Sequence, residues 1–257
     1  MNTSRNKLLH QKVPKLLISL AIPMIVAQMV NALYNIVDRL YISYIPDIGT
    51  HALTGVGICF PIIMLISAFS ALIGQGGAPL ASIRLGANKK EEAQKILGNC
   101  VFALTVCALT LTVIFYLFRT PILYAFGASD TTLSYAKSYL EIYILGTVFV
   151  QYALGLNPFI NAQGYTKTGM ATVTIGAILN LILDPIFIFV FHMGVKGAAL
   201  ATVLSQAVSA LWVIRLFFLT HTKKVHSFSC TYILDDFIFR NLSIYYEFYR
   251  QSSKHCI

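Results

Sequence analysis

Six long stretches of the chain carry almost no charge. Residues 16–37 have none, and neither do residues 52–83, which hold one span and a Gly-rich exit. Residues 96–118 and 142–166 are uncharged runs as well. Residues 168–195 are interrupted only by Asp184, and residues 197–214 continue as 216–219 past Arg215. A bilayer core takes about 20 consecutive apolar residues in a helix. Backbone groups in lipid must bond internally, so the stretches read as helices, and the alternation of a barrel is missing. The pattern predicts spans at about 15–44, 52–77, 95–118, 134–160, 168–192 and 197–220, joined by short loops. In the longest inner loop Asn88 is expected to cap a helix start, with Glu91 at the capping-box position. The first span follows basic residues, as a secretion signal would. It is too long for one and lacks a clear small-residue cleavage site, so it reads as a helix of the mature protein.

Composition agrees. Of 257 residues, 57% are hydrophobic and 11% charged, against about 25% charged in a soluble domain. An ordinary soluble fold and a disordered chain are both excluded. The net charge of +9 invites a nucleic-acid reading, but its distribution follows the spans. With the N-terminus cytoplasmic, inner segments hold Arg5, Lys7, Lys12, Lys15, Arg84, Lys89, Lys90, Lys95, Lys167, Lys223 and Lys224. Outer ends hold Arg39, Arg119, Lys137 and Lys196. This is the positive-inside bias. No continuous basic face with stacking aromatics appears, so the partner is the lipid bilayer and no nucleic acid is expected. Cys59, Cys100, Cys107, Cys230 and Cys256 include no CxxC pair and read as small apolar residues.

The informative residues are polar ones inside spans, because each charge there costs about 2.5–3.5 kcal/mol on insertion scales. Asp38 lies in the first span and Asp184 in the fifth. Counting 1.5 Å per residue puts Asp38, Asp184 and Thr202 of the sixth span roughly 8–12 Å below the outer surface. Asn180 and Asp184 share one helix face, and Asn31, Asn35 and Asp38 form a stripe on another. Pro185 cannot donate to the Leu181 carbonyl, one turn from Asp184. These oxygens suit a hard cation or a shared proton equally well. Arg39 points about 100° away from Asp38 around its helix. Pro23 frees the Ser19 carbonyl mid-span and permits a bend. Gly74, Gly76, Gly77 and Pro79 are expected to break the inner part of the second span. Tyr34, Tyr139, Tyr143, Tyr152 and Phe159 suit either a cavity wall or packing. No histidine pair has ligand spacing and no nucleophile, phosphate-loop or dinucleotide motif is present, so neither an enzyme nor a metal centre beyond a Na⁺ site is expected.

Several of these motifs occur together in one family. Leu20-Ala21-Ile22-Pro23-Met24-Ile25 with Leu33-Tyr34-Asn35-Ile36-Val37-Asp38-Arg39 resembles the first helix of MATE (multidrug and toxic compound extrusion) transporters. Gly74-Gln75-Gly76-Gly77-Ala78-Pro79 followed by Arg84-Leu85-Gly86-Ala87 is similar too, as are Asn157-Pro158 and Gln163-Gly164. Asn180, Asp184-Pro185 and the run Gly194-Val195-Lys196-Gly197 to Thr202 complete the set. The resemblance covers roughly residues 8–224. It implies an all-α membrane protein whose six transmembrane helices form one lobe of a twelve-helix, two-lobe transporter. It implies H⁺- or Na⁺-coupled antiport of lipophilic, often cationic drugs, with no other cofactor. The coupling-ion site falls on Asp38, Asn180, Asp184 and Thr202, with Pro23 and Pro185 as hinges. Asn31, Tyr34, Asn35, Asn157 and Gln163 are the expected polar lining of the drug cavity.

Only one lobe is written in this sequence. Residues 225–257 contain Asp235, Asp236, Arg240, Glu247 and Arg250 and no further span. A truncated or frameshifted product, or an amphipathic segment on the membrane, would explain them. Activity then requires a second six-helix lobe or a homodimer. Two other readings remain: an inactive membrane scaffold or fragment, and a lipid-linked sugar flippase. The flippase reading expects several cavity Arg or Lys, and only Arg39 and Arg215 lie in or near spans.

Overall fold

The computed structural model describes residues 12–222, with the side chains of 218–222 excepted. The tail at 225–257 lies outside the described residues, as do Arg5, Lys7, Lys223, Lys224, Cys230 and Cys256. The chain divides into a unit of residues 1–214, treated below, and a unit of residues 215–257. Among the described residues the regular structure is all helical: α1 Val13–Ser43, α2 Gly49–Gly86, α3 Lys90–Ala125, α4 Asp130–Leu145, α5 Thr147–Ala162, α6 Thr166–Pro185, a π-helix Ile186–Val190, and α7 Val195–Thr222. Among the described residues five helical segments are long and apolar enough to cross a membrane, and the bent pair α4–α5, counted as one span, gives six.

The core is small and the outside is greasy, as a lipid-facing bundle requires. Ile42, Cys59, Ile62, Ile66, Leu140 and Ile144 are buried together, while Leu17, Ile25, Met29 and Leu33 of α1 are exposed. α1 packs chiefly on α6, and α2 packs on α3, α4 and α5. The residues that α1 buries are Pro23, Asp38 and Ile42. An acid is therefore one of only three anchors of a 31-residue helix.

Three local features differ from expectation. α2 runs through Gly74–Pro79 without a break and ends at Gly86. A Cβ on Gly74 would strike the Gly155 carbonyl, and one on Gly77 would strike Cys100 and Phe159. The small residues serve close helix crossing, and neighbouring helices hold the segment helical. Asn88 caps no helix start. It stands at φ 64°, with its N–H bonded to the Leu85 carbonyl (3.1 Å) and the Lys89 N–H bonded to the Arg84 carbonyl (2.9 Å). That is a Schellman close of α2 with Asn in the left-handed position. Lys89 precedes α3 instead, and Arg84 and Lys89 reach Glu92 at 3.2 and 2.9 Å. The fourth span is broken at Gly146, where α4 and α5 meet at 59°. A Cβ on Gly146 would collide with Val203 of α7, and beside the break the Thr112 hydroxyl donates to the Ile144 carbonyl (3.2 Å).

Candidate functional site

Close helix crossings bring the polar residues of three spans together. Gly197 lets the first turn of α7 approach the π-helix backbone at Phe187, and Gly176 of α6 faces Ser209. Ser209 donates to the Thr172 carbonyl across the same seam (3.4 Å). The π-helix follows Pro185 directly, and the Phe191 N–H closes its wide turn on the Ile186 carbonyl (2.9 Å). A proline cannot donate to the preceding turn, and single π turns often accompany functional sites.

Asp184 is fully buried and Asn180 nearly so. Asn180 Nδ2 donates to Asp184 Oδ1 (3.2 Å) and to Thr202 Oγ1 (3.4 Å). The Thr202 hydroxyl donates its own proton to the Ala198 carbonyl (3.0 Å), which leaves its lone pairs facing Asn180. From α1, Asp38 reaches across so that the carboxyls of Asp38 and Asp184 lie within hydrogen-bonding reach of each other. Asp38 is 8% exposed. Its Oδ1, with Asp184 Oδ2 and Asn180 Oδ1, is buried and has no hydrogen-bond donor among the described residues.

Tyr139 and Gln206 complete the cluster; the sequence marked Tyr139 only as an aromatic that suits a cavity wall or packing, and did not mark Gln206. The Tyr139 hydroxyl is beside Thr202, with Asp38 in electrostatic range. Tyr139 stacks on Tyr143 at 6.1 Å. Tyr34, one turn before Asp38, lies near both acids, with Asn35 and Gln206 beside its hydroxyl. The position of Tyr34 one turn from Asp38 was the usable signal. Tyr139 is indistinguishable from packing in one sequence.

The remaining expected residues lie apart from this cluster or touch it indirectly. Asn35 is exposed, and its Nδ2 donates to the Asn31 carbonyl on the same helix (2.7 Å). Asn157 donates to the Gly169 carbonyl (3.3 Å) at the other end of the bundle, and Gln163 ends α5 there. Pro23 is buried within α1, which continues through it. Arg39 turns away from the acids, and its guanidinium lies 4.9 Å from the Phe60 ring centre. No group of three His, Cys, Asp or Glu able to hold a metal occurs among the described residues.

Two carboxylates in contact, shut off from water, hold one negative charge too many. A shared proton or a small hard cation removes it, and the amide, hydroxyl and carboxylate oxygens suit either. Nothing in the cluster serves as an activated nucleophile.

This acid pair lies among helices long and apolar enough to cross a membrane, and the chain is a multi-pass membrane protein. A family model described as MatE matches residues 23–186, and the chain belongs to the MATE family. It is 30% identical over 203 residues to the multidrug export protein MepA of Staphylococcus haemolyticus (strain JCSC1435), covering 79% of this chain and 44% of that one. It is 25% identical over 209 residues to an FAD transporter of Shewanella oneidensis, covering 80% and 46%. Among solved structures, that of MATE in complex with MaD3S superposes with a TM-score of 0.78 at 28% identity, covering 90% of this chain and 52% of that one. The chain thus spans about half the length of the relatives it matches.

Proposed function

We propose that this chain is the ion-handling lobe of a MATE-type exporter that couples H⁺ or Na⁺ entry to the expulsion of lipophilic, cationic drugs. The observation that supports it is the Asp38–Asp184 contact, with a donor-less oxygen on each carboxyl. Asp38 comes from α1 and Asp184 from α6. Asn180 holds one Asp184 oxygen in place, and Thr202 receives the second Asn180 proton. An ion entering between the acids draws α1 onto α6, and its departure leaves two like charges that push them apart. The ion biases the lobe only by its differential affinity for the two arrangements. An interaction of about 3–5 kcal/mol would correspond to about 150–4,000-fold.

Because the chain spans about half the length of the relatives it matches, drug export would draw on a second six-helix lobe beside this one. The expected substrates are drug-like cations held in an aromatic cavity by cation–π contact. Ethidium efflux from cells expressing this chain with a second MATE lobe tests the proposal. Efflux that collapses the imposed H⁺ or Na⁺ gradient, and that stops with Asp184→Asn, supports it. Efflux unaffected by that substitution and by the gradients would overturn it.

A further inference from the structure

We propose that the groove between the outer halves of α1 and α2 binds an anionic phospholipid, with Arg39 on the phosphate and one acyl chain in the cleft. The groove encloses about 330 Å³, the low end of the ~300–1,000 Å³ of small-ligand clefts. Ile36 and Ser43 of α1 and Leu53, Val56 and Gly57 of α2 line it, with Arg39 among them. No acid lines it. Its wall is therefore an apolar trough with one positive charge.

The level of that charge specifies the ligand. α1 has 31 residues and is roughly 46 Å long, some 16 Å more than the hydrocarbon core. Centred on the bilayer, it extends about 8 Å beyond the core at each end. Arg39 stands four residues before the last residue of α1, Ser43, about 6 Å down the axis. Its backbone is thus at the boundary of hydrocarbon and headgroup, where phosphates lie. The side chain leans toward the N-terminal, inner end of its helix, as helical geometry directs, and is steadied over Phe60, so a bound phosphate dips toward it from the headgroup layer. Among the described residues it makes no ion pair or hydrogen bond; Asp38 is in electrostatic range but faces α6. A guanidinium has five donors in a fork that matches phosphate. Below it, Ile36, Val56 and the bare backbone of Gly57 leave room for a chain. A Cβ on Gly57 would meet nothing within 4 Å.

The test is independent of transport. The full chain is purified in mild detergent, and native mass spectrometry counts retained phosphatidylglycerol and phosphatidylcholine offered in equal amounts. The expected result is preferential retention of one phosphatidylglycerol. Arg39→Gln lowers that preference about tenfold, as loss of a charge-assisted contact should. Gly57→Leu fills the cleft and lowers retention of both lipids, with the melting temperature unchanged. Equal retention of the two lipids by the unmodified protein would overturn the proposal without any variant. So would phosphatidylglycerol retention untouched by either substitution, or displacement of the lipid when a second lobe co-purifies.

Discussion

Asp38 and Asp184 touch through their carboxyls, yet each keeps one buried oxygen without a donor. Burial of two acids in contact is costly unless a positive particle accompanies them. The arrangement is explained if the folded lobe is built around an ion that comes and goes.

The amide of Asn180 should matter more than the hydroxyl of Thr202. Asn180→Ala removes the donor that holds Asp184 Oδ1 at 3.2 Å. Hydrogen bonds to charged groups are worth about 1.5–3 kcal/mol, so binding of radiolabelled Na⁺, or of protons by titration, should weaken at least tenfold. Thr202→Ala removes a longer contact of 3.4 Å. It should cost no more than about 1 kcal/mol, and it leaves Asn180 on Asp184.

Na⁺ and H⁺ should compete for the same oxygens. Na⁺ binding then displaces protons, and its apparent affinity rises with pH. Calorimetry across a pH series checks this. A Na⁺ affinity flat in pH would mean that the cation goes elsewhere or is not bound.

Asp184→Asn should abolish ion binding while the protein still inserts and remains helical. Asparagine keeps the shape and removes the charge that the ion answers. Circular dichroism and membrane fractionation establish the fold, and the same Na⁺ or proton assay reads the loss.

Two glycines of α2 should respond in opposite ways. Gly74→Ala drives a methyl into the Gly155 backbone, whereas a Cβ on Gly76 would meet nothing within 4 Å. Overpacking costs about 1–3 kcal/mol, so Gly74→Ala should lower the melting temperature in detergent. Gly76→Ala removes a flexible residue from an exposed helix position and should raise stability by about 0.5–1 kcal/mol.

The number and order of spans were legible because lipid penalises every exception so heavily. The same penalty singled out Asp38, Asn180, Asp184 and Thr202. Gly146 gave no such signal: a lone glycine between Leu145 and Thr147 resembles any small residue in a membrane helix, and its bend depends on Val203 from a distant part of the chain. Gly74 misled for the same reason reversed, since its partner Gly155 is equally distant. Asn88 has a short polar side chain that suits a helix start and a helix end alike, and its left-handed backbone decided for the end. Tyr139 and Gln206 belong to the acid cluster only through helices that sequence spacing cannot place side by side.

With Pro23, Asp38 and Ile42 as its buried residues, α1 resembles a mooring line tied at few cleats. One of those cleats is Asp38, a carboxyl of the acid pair. If the proposed ion binds there, its loading and release would tighten or slacken the strut directly, with no relay through the rest of the bundle.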